Sequence, residues 1–345
     1  MKYVRLGKSQ LSVSQVGFGG IPIQRVSFAE AEKCIHAALD LGINYIDTAL
    51  VYGDSEEKIG QALKGRRDKV ILATKVPPRS REFVAESLES SLKKLKTDYI
   101  DLYQLHNVEN KELLEASKDV IDILHKARKQ GKVRHIGVSI HGVDWANEVI
   151  RTGLFETVMI AMNFIVNEAE RNVLPTAREL DVGVIAMKPL AGGHISDAAL
   201  AMKYFTGFDD VVPLVGIEQP EEIRQIVEIV ESGIAPSEQE IREMEKIREE
   251  SGAQFCRLCG YCLPCPQGID IVLVNTFYSI AKRMPLDSVL KGGIADGMRR
   301  AENCVECGTC EERCPYHLNI RRLIRENYEY FKQLAEKNSN TAIDD

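Results

Sequence analysis

The stretch VILATKVPPRSREFVAESLESSLKKLKTDYIDLYQLH, residues 70–106, decides the fold. Val70–Thr74 is a short run of aliphatic and β-branched residues, and Ile100–Leu105 repeats it. Between them, Arg81–Leu95 carries its apolar residues at helical spacing. The unit is therefore strand, helix, strand, and the same alternation runs from residue 16 to residue 232. The other expected strands are Val16–Gly19, Tyr45–Asp47, His135–Ser139, Thr157–Asn163, Gly183–Met187 and Val211–Val215. The other expected helices are Phe28–Leu41, Glu56–Leu63, Leu113–Lys129, Val143–Arg151, Asn172–Leu180, Asp197–Phe205 and Glu221–Val230. Strict alternation means a parallel sheet, and eight units predict a closed (β/α)₈ barrel, with an open doubly wound sheet as the competing arrangement. Tyr3–Leu6 and Leu11–Ser14 read as a short hairpin ahead of it.

Composition agrees with a large α/β domain plus a small one. The chain has 345 residues, 44% hydrophobic and 28% charged, with a net charge of −7. No basic footprint for nucleic acid is present. The first twenty residues lack a signal-peptide core and no stretch has membrane-span length, so a cytoplasmic protein without a membrane partner is expected. Beyond Gly233 the texture changes. Pro236 and Ser237 open a charged helix, Glu238–Glu250, that reads as a connector. The expected division is a barrel over 1–235, a connector over 236–252, a small, mainly α-helical domain over 253–335 and a mobile polar tail over 336–345.

Eight of the nine cysteines lie in that small domain. The first run, FCRLCGYCLPCPQGIDI, holds Cys256, Cys259, Cys262 and Cys265. The second, NCVECGTCEERCPYHLNI, holds Cys304, Cys307, Cys310 and Cys314. Each quartet ends in a proline, and the second has the spacing of bacterial ferredoxins. A cubane needs four thiolates, and one tight turn supplies only three from one side. Two such runs predict two [4Fe–4S] clusters in which the fourth cysteine of each run reaches the other cluster. The first run has two residues instead of three before Cys265, which leaves open the cluster to which Cys265 belongs. Structural zinc is the alternative for any Cys-x₂-Cys pattern, but two proline-ended quartets suit it less well. His317, just after the second run, reads as a surface or capping residue.

In a parallel barrel, chemistry gathers where strands end. Strand two ends at Asp47 and its loop carries Tyr52, in NYIDTALVYGDSEEKIGQAL. Strand three ends at Lys75, in ILATKV, and strand four at His106, in YIDLYQLHN. Each residue alone has an ordinary structural explanation: a cap for Asp47, a solvated Lys75, packing for Tyr52 and His106. Together, in this order, they resemble the catalytic tetrad of the aldo-keto reductase superfamily. That resemblance covers residues 1–232, and the extension resembles the dicluster domain fused to some members. The resemblance implies Tyr52 as proton donor to a carbonyl oxygen, Lys75 as the cation that favours tyrosinate, Asp47 as its partner and His106 as the orienting group.

The resemblance also implies a nicotinamide, NADH or NADPH. Ser139 in GVSIHG matches a family position on the nicotinamide amide, and Asn163 falls near another. Lys188, Pro189 and Leu190 in AMKPLAGG match a loop over the cofactor. Met187 and Met159 stand where the family has an aromatic residue and a glutamine. After strand eight, VGIEQPEEIRQI, which begins Val215-Gly216, offers Glu218, Glu221 and Glu222 against the single base Arg224. An acidic loop there repels a 2′-phosphate and so favours NADH over NADPH. The substrate is expected to be a small carbonyl or alcohol. Clusters carry single electrons and nicotinamide a hydride, so three readings stand. One is a nicotinamide enzyme with electron transfer through its clusters. Another is a ferredoxin-linked or flavin-dependent reductase with a decayed nicotinamide site, served by an electron-transfer protein. The third is a non-catalytic redox sensor.

Overall fold

The computed structural model describes residues 1–252, 256–258 and 260–341. The chain divides into two compact units: residues 1–191 with 195–242, and residues 192–194 with 243–345. Among the described residues no helix is long and apolar enough to cross a membrane.

The first unit opens with the antiparallel hairpin β1 (Tyr3–Leu6) and β2 (Leu11–Ser14). Eight parallel strands follow and close on themselves: β3 (Gly17–Gly19), β4 (Tyr45–Asp47), β5 (Ile71–Val76), β6 (Ile100–Leu105), β7 (Val133–Ile140), β8 (Thr157–Ala161), β9 (Gly183–Met187) and β10 (Val211–Gly216), with β10 hydrogen-bonded to both β9 and β3. The expected barrel is therefore the observed one. Its helices are α1 (Phe28–Asp40), α2 (Ser55–Ala62), α3 (Arg81–Lys94), α4 (Lys111–Lys129), α5 (Val143–Arg151), α6 (Glu168–Asn172), α7 (Leu174–Glu179), α8 (Ala198–Phe205) and α9 (Pro220–Ser232). The helix expected over Asn172–Leu180 is two short ones starting earlier, because Pro175 cannot donate its missing N–H and restarts the helix near its own N-terminus. The strand expected to reach Asn163 stops at Ala161, and Asn163 belongs to the loop beyond.

Strand parity fixes what points inward. Tyr45, Ala73, Leu102, Met159, Ile185 and Val212 form the floor of the barrel interior, and Val4, Leu6 and Val13 of the hairpin pack into the same cluster and plug that end. Two residues further along the same faces stand Asp47, Lys75 and Gln104, with Lys75 paired in register to Gln104. The polar groups therefore form the layer above the apolar floor, at the strand ends. Gly137, opposite Gln104, is required by that crowding: a Cβ would lie 2.3 Å from Thr157 Oγ1 and 3.1 Å from Gln104 Cγ.

Helix α10 (Glu238–Gly252) spans the division between the units. The second unit continues with α11 (Ile271–Ala281), α12 (Leu286–Leu290), α13 (Gly292–Arg299), α14 (Thr309–Glu312) and α15 (Ile320–Thr341). Asp270 caps α11 by accepting the Leu273 N–H at 3.0 Å. Phe277 of α11 meets Phe331 of α15 edge-on, 5.5 Å between ring centres, in a core shared with Ile271, Val289, Met298 and Ile324. Helix α15 runs on to Thr341, so that residues 336–341 of the expected polar tail are helical, while the buried apolar residues of the helix are Ile320, Ile324 and Phe331 nearer its start. Residues 342–345 lie outside the described residues.

Candidate active site and cysteine centre

Asp47 ends β4, Lys75 is the last but one residue of β5 and His106 follows β6 directly. Tyr52 lies in the turn between β4 and α2, which backbone bonds hold tightly: Thr48 N–H to Ala73 O at 2.9 Å, Leu50 N–H to Lys75 O at 3.0 Å and Ser55 N–H to Tyr52 O at 2.9 Å. Ser55 anchors the far side by donating to Gly20 O at 2.7 Å. The structure thus brings together the four residues singled out by the sequence.

Lys75 and Asp47 are each only 1% exposed and form a close ion pair. The Lys75 ammonium also donates to Thr48 O at 2.7 Å and lies 5.0 Å from the centre of the Tyr52 ring. Burial works against this ammonium, but Asp47 and Tyr52 outweigh it and raise its pKa above the ordinary lysine value. Burial also lifts the Asp47 carboxyl, against the pull of Lys75 and Gln104. We take the pair as charged, because both Asp47 oxygens have donors: Lys75 on Oδ1 and the Gln104 amide on Oδ2 at 2.8 Å. Sequence reading missed Gln104 as a functional residue. The signal was its place two residues before His106, on the inward face of the same strand.

His106 meets Tyr52 edge-on, 5.8 Å between ring centres. Burial, then the Lys75 charge, then His141 push the His106 imidazole down to about 3. It is neutral at physiological pH, so it is a hydrogen-bond donor rather than a reservoir of protons. The loop after it is stitched to the end of β7. Asn107, in the left-handed region at φ 59°, donates its N–H to Ser139 Oγ at 3.0 Å, and Glu109 accepts from His141 Nδ1 at 2.8 Å and from the His141 and Gly142 N–H groups.

The expected cofactor residues are placed less simply. Ser139 is buried and engaged with Asn107. Asn163 is 1% exposed; its Oδ1 accepts the Ile165 and Val166 N–H groups at 2.9 and 2.8 Å, and its Nδ2 donates to Lys188 O at 2.9 Å. Its amide therefore shapes the loop that carries Lys188, Pro189 and Leu190. Met159 and Met187 are side chains of the barrel interior, one in the floor cluster and the other packed against it. Gly216 ends β10 against Pro22: a Cβ would lie 2.8 Å from Pro22 Cγ. The acidic run is not a free negative face. Glu218 pairs with Arg25, Glu221 pairs with Arg224 at 3.0 Å, and Glu222 folds back to accept the Glu218 and Gln219 N–H groups at 3.0 and 3.1 Å. Arg25 lies 193 positions from Glu218 and could not be matched to it from sequence.

In the second unit Cys256, Cys262, Cys310 and Cys314 are buried in the core cluster, Cys265 and Cys304 are half-buried and Cys307 is exposed. Cys259 lies outside the described residues. Among the described residues no three ligating side chains converge on one point as a single metal ion would require. Cys262, Cys265, Cys304, Cys307 and Cys310 instead surround one cavity, an arrangement that suits a cubane with separated corners. Cys265 shares that cavity with Cys262 of its own run and with three cysteines of the second run. Glu311 ties this run to α15 by accepting the Arg321 backbone N–H and guanidinium at 2.9, 3.0 and 2.7 Å. His317 is exposed.

Comparison with known proteins agrees with both halves. Residues 15–211 match the model of the aldo/keto reductase family, and residues 255–319 match that of a 4Fe-4S dicluster domain. The aldo-keto reductase YhdN of Bacillus subtilis is 32% identical over 228 residues, which cover 61% of this chain and 68% of that protein. The 6-dehydroglucose reductase of Novosphingobium aromaticivorans is 32% identical over 220 residues, covering 57% of this chain and 71% of that one. Among solved structures, the aldo-keto reductase AKR11C1 of Bacillus halodurans superposes with a TM-score of 0.64 at 27% identity, over 72% of this chain and 96% of that one. An aldo/keto reductase of Klebsiella pneumoniae in complex with NADP and acetate does so with 0.61 at 25% identity, over 72% and 95%. This chain belongs to the aldo/keto reductase family, and it carries a 4Fe-4S dicluster domain after its barrel.

Proposed function

We propose that the protein is an oxidoreductase acting on a carbonyl/alcohol pair, with Tyr52 as the proton donor and two [4Fe–4S] clusters as a second, one-electron system. The observation that carries this is the Asp47–Lys75–Tyr52–His106 constellation at adjoining strand ends. A reduced nicotinamide, when bound, would supply the hydride, as the complex of the Klebsiella relative with NADP suggests. The protein's own groups do the rest. His106, neutral, donates a hydrogen bond that orients the substrate oxygen. Tyr52 gives its phenolic proton to that oxygen as charge develops there. Lys75 lies beside the ring and stabilises the tyrosinate left behind. Asp47, held by Gln104, keeps the Lys75 ammonium in place and charged. Ser139, Asn163, Lys188, Pro189, Leu190, Gly216, Glu222 and Arg224 are the proposed cofactor side of the site.

The clusters are proposed to be held by Cys265, Cys304, Cys307 and Cys310 on one side and Cys256, Cys259, Cys262 and Cys314 on the other, as crossed ligation between two ferredoxin-type runs implies; Cys262 and Cys265 both line the cavity of the second run. The proposed working division remains a barrel to residue 235, a connector over 236–252 and an iron–sulfur domain from 253.

A second reading is favoured by one observation: Ser139 and the Asn163 amide are already engaged within the protein. In that reading the barrel receives electrons through the clusters, with or without a flavin, and no nicotinamide binds. Anaerobic turnover of a panel of small aldehydes and ketones with NADH and with NADPH separates the two. Turnover with either nucleotide supports the first. Tight binding of neither, with clusters intact, overturns it in favour of the second.

A further inference from the structure

The proposed chemistry leaves a buried carboxyl of the barrel unused. Glu56, in the first turn of α2, is 1% exposed, and its Oε1 accepts the Thr74 hydroxyl proton at 2.7 Å. Thr74 comes just before Lys75 on β5. Side chains alternate along a strand, so Thr74 faces the helix layer while Lys75 faces the barrel interior. Ser91 of α3 and Tyr103 of β6, the register partner of Thr74, add two more buried hydroxyls around Glu56. Burial raises the Glu56 pKa, against the hydroxyls of Thr74 and Ser91 and the charge of Lys94. A buried carboxyl is a costly tie between two elements that apolar side chains could also join, so what it ties matters.

The elements it ties carry Tyr52 and Lys75. Ahead of Tyr52, the turn is joined to β5 by two backbone bonds, Thr48 N–H to Ala73 O and Leu50 N–H to Lys75 O. After Tyr52, Ser55 bonds to Gly20 and Thr48, and the bond from Glu56 to Thr74 reaches β5. Tyr52 is thus bracketed by links to the strand of Lys75. We propose that Glu56 and Thr74 are positioning residues for the carbonyl reaction: acting from behind the strand, their bond fixes the Tyr52 ring against the Lys75 ammonium, which lies 5.0 Å from the ring centre. A displacement of about 1 Å in such a pair can cost up to about 10²-fold in rate. This rests on the reading of Tyr52 as proton donor.

The test is steady-state reduction of a carbonyl substrate by the full, anaerobically prepared chain at matched iron content. The proteins compared are wild type, Tyr52→Phe, Thr74→Val, Thr74→Ser and Glu56→Gln. Thr74→Val keeps the shape and loses the hydroxyl. It should lower kcat about tenfold or more with both KM values little changed, the mark of an interaction expressed in the transition state. Thr74→Ser restores the hydroxyl and Glu56→Gln keeps an acceptor for it, so both should recover most of the rate. Thr74→Ala, which removes the same hydroxyl with less bulk, takes the place of Thr74→Val if that variant does not fold. Wild-type kcat in Thr74→Val, a raised KM at unchanged kcat, or a Thr74→Ser as slow as Thr74→Val each overturn the proposal. So does a Glu56→Gln far slower than Thr74→Val, which would make the charge of the carboxyl, not its bond to Thr74, the working feature. Tyr52→Phe separates the two levels. If it turns over like the wild type, the reading of Tyr52 fails and this proposal with it; if it is slow and Thr74→Val is fast, this proposal alone fails.

Discussion

His106 is held neutral by burial, by the Lys75 ammonium and by His141, with its pKa pushed down to about 3. An unfolded histidine titrates near ~6.5. Between these values the unfolded chain binds more protons than the folded one, so stability rises with pH through that window. The contribution is complete above the unfolded value and drains as pH falls toward the folded one, with a slope of up to about 1.4 kcal/mol per pH unit. Urea titrations at two pH values test this: the wild type is expected to lose more stability between about pH 6.5 and pH 4.5 than His106→Asn does. An equal loss in both would show that His106 is not the group responsible. Lys75 makes a different kind of prediction. Lys75→Met leaves the Asp47 carboxylate buried without its cation, which costs about 3–5 kcal/mol. Adding Asp47→Asn to that variant should recover part of the loss, because the stranded charge is then gone. A double variant less stable than the single one would contradict the pairing. Asp47, Tyr52, Lys75 and His106 were legible in sequence because strand ends and motif order mark them. The internal bonds of Ser139 and Asn163 were not, because they depend on how two loops fold over the strand ends.

Elements obeyed their periodicities, and their boundaries moved where backbone chemistry intervened, as Pro175 did between α6 and α7. Helix α1 starts at a reciprocal capping box: Ser27 accepts the Glu30 N–H at 3.3 Å and Glu30 accepts the Ser27 N–H at 2.8 Å. Ser27→Ala should cost about 1 kcal/mol in urea unfolding, and no change would mean that the cap is redundant. Helix α2 passes the end of α3 at Gly60 so closely that a Cβ would lie 2.4 Å from Lys94 O. Helix propensity alone favours alanine there by about 1 kcal/mol. Backbone overlap should outweigh it, so Gly60→Ala is expected to destabilise by about 1–3 kcal/mol. A stabilised Gly60→Ala would show that α2 and α3 can part without cost. The sequence could not reveal this contact, since it joins two helices through a carbonyl rather than through matching side chains.

At the scale of the whole molecule, the barrel was legible because alternation of two periods leaves few closed solutions, and the cysteine domain because its spacing is itself chemistry. Less legible were links between residues far apart in sequence, such as Arg25 with Glu218. Those depend on closure of the fold, not on local pattern. The central claim is that this chain reduces a carbonyl with a proton from Tyr52. The most direct measurement is steady-state turnover of a verified carbonyl substrate by anaerobically prepared wild type and Tyr52→Phe, at matched iron content and cofactor saturation. The account predicts a loss of about 10²-fold or more in kcat, the usual contribution of a positioned acid, with cofactor affinity retained. Turnover by Tyr52→Phe within a few-fold of the wild type would contradict it.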